Sequence, residues 1–349
     1  MPKTRIRGIW RGHSGTASND RFRLLTIANR GSFKWRAFAA LAGAGSLWGT
    51  GFLFGKWALS ELSVGHMVLY RFLFASLGFA PATWRGLRRS ETRIARRDLR
   101  LFLLAAFLGV PVQFMVQFAG LDRTTVSHAS LMVGNLPVLL AAGAALFAHE
   151  RVTAGRWIAL FASTTGAALI AFGASKGEAG AQATVLGDLL VVASLFAAVA
   201  WILLSQRLMR AGSGRHYSPM STSAYVMTAG TVMLAAWVMA TEGPPSVHLS
   251  FRTWASVAAS GLLATTVTTY LWNWGLARVP ASQAGVFVNL EPVVGAILGV
   301  ILLHDILGPY ALIGGLLVVG AAIFVAVGDT DVGQAVRPSD RVDAPSGSA

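Results

Sequence analysis

The chain has 349 residues, 54% of them hydrophobic and only 13% charged, with a mean hydropathy of +0.58. Soluble globular chains carry about 25% charged residues, so a soluble enzyme or a nucleic-acid-binding domain is excluded despite the net charge of +14. There is no cysteine, which removes disulfides, thiolate nucleophiles and cysteine-based metal sites together.

In chain order, residues 1–37 are polar and Arg-rich and lack the apolar run and small-residue cleavage site of a signal peptide. They read as a disordered basic cytoplasmic tail, with a short interfacial helix near Phe22–Trp35 as a possible feature. Ten apolar blocks follow, each about as long as the 20 residues that cross a hydrocarbon core. The first five lie near 38–59, 66–84, 101–121, 126–148 and 154–173. A small-residue linker, 174–186, separates them from 187–206, 219–240, 253–275, 280–303 and 308–327. Residues 328–349 read as a second disordered cytoplasmic tail.

The basic residues set the orientation. With the N-terminus placed in the cytoplasm, 24 Lys and Arg fall inside and three (Arg123, Lys176 and Arg252) outside, while Lys56 and Arg71 lie within spans. The positive-inside rule then puts both termini in the cytoplasm, which an even number of spans requires. The positive charge is a topology signal and not a nucleic-acid footprint.

The segment Gly120–Glu150 recurs at Gly275–Asp305 with a constant offset of 155 residues and 10 identities in 31 positions. Ser127/Ser282, Pro137/Pro292 and His149/His304 are among the matches. The chain is therefore two copies of one unit, 38–173 and 187–327. Each copy holds five spans, and an odd number inserts the second copy upside down. The expected fold is all-α and integral to the membrane, ten transmembrane helices arranged as two inverted five-helix repeats. Glycine pairs such as Gly45/Gly49, Gly51/Gly55 and Gly295/Gly299 are spaced for close helix packing.

Six residues stand out as substrate or coupling candidates. Glu291 is the single acidic residue deep within a predicted span, where a carboxylate costs on the order of 2.5–3.5 kcal/mol on insertion scales. Desolvation penalises its charged form, which suits proton exchange or binding of a substrate ammonium; a structural carboxylate beside the Pro292 kink is the equal alternative. Arg71 could meet an anionic group or simply reach the headgroups, as Lys56 is expected to do. Gln113 and Gln117 share a helix face, with Gln117 assigned to interhelical hydrogen bonding. Asn135 and Asn289 are read as lining a cavity, and Trp48 as an aromatic wall. His149 and His304 fall on opposite sides of the membrane and cannot share a metal; no metal or cofactor is expected.

These features together resemble the drug/metabolite transporter superfamily in its ten-helix EamA-type form. The resemblance rests on Trp48-Gly49 and Lys56, Arg71-Phe72, Ser127…Pro137-Val138…His149-Glu150, Gly187-Asp188, and above all Asn289-Leu290-Glu291-Pro292-Val293-Val294. Where the family usually has Gly-Glu after helices 4 and 9, this chain has His149-Glu150 and His304-Asp305. The resemblance implies a secondary transporter of a bacterial inner membrane that moves amino acids, related metabolites or small drugs by alternating access. Export is the leading direction, uptake is equally compatible with the residues, and a coupling proton at Glu291 is a candidate. The alternatives are a lipid or amphiphile flippase of the same fold, or, from another class, an integral-membrane enzyme or scaffold. A phosphate-binding loop is missing from the sequence, as are the paired acids an enzyme would need. Its expected partners are a small-molecule substrate and the lipid bilayer, with no nucleic acid.

Overall fold

The computed structural model describes residues 16–88, 94–121, 123, 132–174, 184–210, 217–303 and 308–335. Ser127, His304 and Asp305 lie outside the described residues. Among the described residues there is no strand, and the helices form ten rods. The first half contains α1 (Thr16–Ala58), α2 (Val64–Arg88), α3 (Leu99–Leu121), α4 (Leu136–Phe147) and α5 (Ala154–Ala174). The second contains α6 (Val185–Met209), α7 (Pro219–Thr241), α8 (251–276), α9 (281–303) and α10 (Pro309–Ala335). By its own bounds α1 takes in residues 16–37 of the expected tail.

Three rods are interrupted. α3 runs from Leu99–Phe107 through a π-helical turn, Leu108–Val112, into Gln113–Leu121. α8 does the same through Leu262–Val267, between Phe251–Gly261 and Thr268–Leu276. α9 is broken by a 3-10 turn at Phe287–Asn289, between Ala281–Val286 and Leu290–Leu303. Pro111 explains the turn in α3 and Pro292 the break in α9, since proline donates no backbone hydrogen bond and crowds the preceding turn. In α8, Thr265 and Thr266 donate their hydroxyls to the Ser260 and Gly261 carbonyls, five residues back, at 2.9 and 3.1 Å.

The helix starts are written in the sequence. Thr184, Ser218 and Ser250 cap α6, α7 and α8 by accepting from the N–H three residues on, at 3.0, 3.1 and 3.2 Å. Among the described residues, four helices are long and apolar enough on their own to cross a membrane, including Leu99–Leu121 and Val185–Met209. Leu77, Phe147, Phe196 and Leu316 are among many large apolar side chains on the outside, the pattern of a surface that faces lipid.

The 155-residue offset returns as contacts. Ser76 Oγ donates to Thr231 Oγ1 at 2.8 Å, so one position meets its own repeat. Added β-carbons at Gly261 and Gly230 would press on Ala75 and Ala106, the same pair of positions with the halves exchanged. Arg123 and Arg278, also 155 apart, donate to the carbonyls of Ala119 and Trp274, four residues back in α3 and α8. α5 and α10 cross at Gly166 and Gly314, where each backbone lies against the other. The inverted repeat is thus a symmetry of packing. The near side below is the side on which α1 starts; α9 also starts there, while α3 ends on the far side.

His149, just past α4, has φ 52°, in the left-handed region that favours glycine. The peptide N–H groups of Ala148 and Glu150 both fold back onto the Ala144 carbonyl there, at 3.0 and 3.1 Å. A β-carbon in this conformation costs about 1 kcal/mol. His149→Gly is accordingly expected to raise the thermal midpoint of the detergent-solubilised protein, and a midpoint that falls would contradict this account.

Candidate functional site

One cavity lies between the halves, with an empty volume of about 1060 Å³ including its mouth. Its lining continues along α3 from Gly109 to Leu121, the last residue of that rod, and so reaches the far side. Of the sequence candidates, Trp48, Arg71, Gln113 and Glu291 line it together. Gln117 lines it too, one helical turn beyond Gln113.

Arg71 is buried at 6% exposure, and its placement depends on the α8 turn. Its Nε donates to Thr265 Oγ1 at 2.8 Å and one terminal nitrogen to the Ala264 carbonyl at 3.3 Å. The π-helical turn of α8 contributes both acceptors. The guanidinium also sits over the Phe114 ring, 5.1 Å from its centroid. Its other terminal nitrogen makes no hydrogen bond to the described residues. Sequence reasoning missed Thr265 because α8 has no proline at this turn; the Thr265-Thr266 pair was the available signal.

Glu291 opens the second segment of α9. Its carboxylate makes no hydrogen bond or ion pair within 4.0 Å with the described residues, although it feels the charge of Arg71. The site therefore holds a fixed cation and a carboxylate that do not neutralise each other by direct contact. The backbone here is close-packed: a β-carbon at Gly49 would lie 2.5 Å from the Glu291 carbonyl oxygen.

Polar atoms and rings complete the walls. Gln113 Oε1 and Trp201 Nε1 are buried with no hydrogen-bond partner among the described residues, one on α3 and the other on α6. The Trp201 indole packs on Gly109, where a β-carbon would come within 2.5 Å of the ring. Trp48 packs on Trp272 with centroids 5.2 Å apart. Leu136, the repeat counterpart of Glu291, lines the same cavity.

Two candidates are placed elsewhere. Asn289 is 1% exposed and donates to Ser163 Oγ on α5 at 2.9 Å. Residues two apart on a helix point in different directions, so Glu291 and Asn289 do not share a face. Asn135 lies in the turn before α4 and donates to the Met132 carbonyl at 3.1 Å. Among the described residues, no cluster of His, Asp or Glu could hold a metal ion.

The EamA-like transporter family matches residues 35–172 and 185–327, one match to each half. The chain belongs to the EamA-like transporter family. An uncharacterised transporter of Archaeoglobus fulgidus is 28% identical over 280 residues, which are 78% of this chain and 91% of that one. A probable terminal-alkyne amino-acid exporter of Streptantibioticus cattleyicolor is 26% identical over 285 residues, covering 80% and 89%. A crystal structure of a protein 20% identical superposes with a TM-score of 0.68, covering 85% of this chain and 98% of that one, which bears on the fold alone. The family and these relatives make the chain a multi-pass membrane transporter of small molecules, not an enzyme.

Proposed function

We propose that this EamA-like protein exports amino acids with apolar side chains, or close metabolic relatives, across a bacterial inner membrane by alternating access. Both termini then lie in the cytoplasm, so the near side is cytoplasmic and the cavity leads outward. The observation that carries the substrate class is the separation of charge inside one cavity. Arg71 offers a guanidinium nitrogen to a carboxylate, and Glu291 offers a carboxylate to an ammonium group. Trp48, Phe114 and Trp201 leave an aromatic surround for an apolar side chain. The amino-acid exporter among the relatives supports the same class. Glu291 also serves as the proton-coupling group, because no described donor holds its charged form in place.

Overexpression in a bacterial host tests the reading. The ratio of external to internal concentration should rise for a subset of zwitterionic amino acids and stay level for sugars and organic anions. A rise confined to anions, or to none of these, would remove the proposal.

A further inference from the structure

The near ends of α4, α6 and α9 meet in a polar cluster that the cavity does not use. Glu150 follows α4, and its carboxylate accepts from Ala281 N–H at 3.0 Å and from the N–H and hydroxyl of Ser282, both at 3.2 Å. These amides belong to the first turn of α9, where N–H groups have no partner within the helix. Arg210 follows α6 and lies 3.7 Å from the same carboxylate. It also donates to the carbonyls of Leu276, the last residue of α8, and Val279, in the turn that follows. With its amide oriented to suit its donors, Gln206 accepts from Arg210 at 3.3 Å and from Ala281 N–H at 3.2 Å. Ala281 and Ser282 are fully buried and Gln206 is 4% exposed.

α4 belongs to one half and α9 to the other, so the Glu150 carboxylate joins the halves at the end opposite the cavity mouth. A fold that opens to alternate sides needs such a contact to form in one state and be lost in the other. We propose that Glu150, with Arg210 and Gln206, is a releasable latch that keeps the near side shut. Removing the carboxylate shifts the chain toward the state open on that side. The inference rests on the alternating-access reading but not on the choice of substrate.

The absence of native cysteine makes a direct test available. Ser205→Cys places a thiol at a fully buried position five residues before Arg210, and Leu121→Cys places one at the far end of the cavity. Each is combined with Glu150→Gln and, separately, with the milder Ser282→Ala, and N-ethylmaleimide labelling is timed in membrane vesicles. Glu150→Gln should speed labelling at position 205 about fivefold, the population shift that loss of one helix cap brings, and slow it at position 121. Ser282→Ala should move both rates the same way by less. Unchanged rates at both positions overturn the latch, as do faster rates at both, which signal general loosening. Counterflow of a panel of radiolabelled apolar amino acids, leucine among them, in the parent vesicles separates the two ideas. Its absence overturns the amino-acid reading while the thiol rates still decide the latch.

Discussion

Glu291→Gln is expected to abolish transport driven by a pH gradient and, because the carboxylate also receives the substrate ammonium, to weaken substrate exchange without abolishing it. One pH unit is worth about 1.4 kcal/mol per proton, or a tenfold concentration ratio at one proton per substrate. Proteoliposomes holding the parent protein should approach that ratio, and those holding the glutamine variant should show no gradient-driven accumulation. Glutamine keeps the size and hydrogen-bonding atoms of the side chain and removes the exchangeable charge. Glu291 lines the cavity without a described hydrogen-bond partner, so little packing is disturbed. Undiminished gradient-driven flux in the variant would take Glu291 out of the coupling mechanism.

Gly45→Ala should be among the most damaging single-methyl changes in the molecule. A β-carbon at Gly45 collides with the Phe287 carbonyl oxygen in the 3-10 turn of α9. Backbone atoms cannot swing aside, so α1 and α9 must separate, at a cost of about 3 kcal/mol or more. Among the described residues, nothing lies within 4 Å of the corresponding point at Gly55 in the same rod. Gly55→Ala should instead stabilise α1 by up to about 1 kcal/mol through helix propensity. Thermal melting of the two variants in detergent should therefore move in opposite directions. Equal effects would mean that the α1–α9 approach is not what Gly45 secures.

Much of the architecture is legible in the sequence alone, because the repeat is written in residues that shape backbone. Pro137 and Pro292 mark the equivalent breaks, and the offset between them is the offset of Ser76 from Thr231. The candidate site was legible in part. A carboxylate, an arginine and a tryptophan inside apolar spans attract attention on energetic grounds, and Glu291, Arg71 and Trp48 do share one cavity. The amides were harder to place, since an uncharged amide is nearly as well served by a neighbouring helix as by a water-lined space. Asn289 found Ser163, whereas Gln117, expected to bond between helices, lies on the cavity wall. Helical phase would have helped: Gln113 and Gln117 share a face, and Asn289 and Glu291 do not. The hold on Arg71 needed the π-helical turn of α8, which spacing alone does not announce.

The bond between Ser76 and Thr231 has a mechanical meaning. If the two halves trade conformations when the transporter turns over, every contact is exchanged for its image under the pseudo-two-fold. A contact between a position and its own repeat is its own image. It can act as a pivot, conserved through the cycle while contacts away from the axis, such as the one Glu150 makes with Ser282, are made and broken around it.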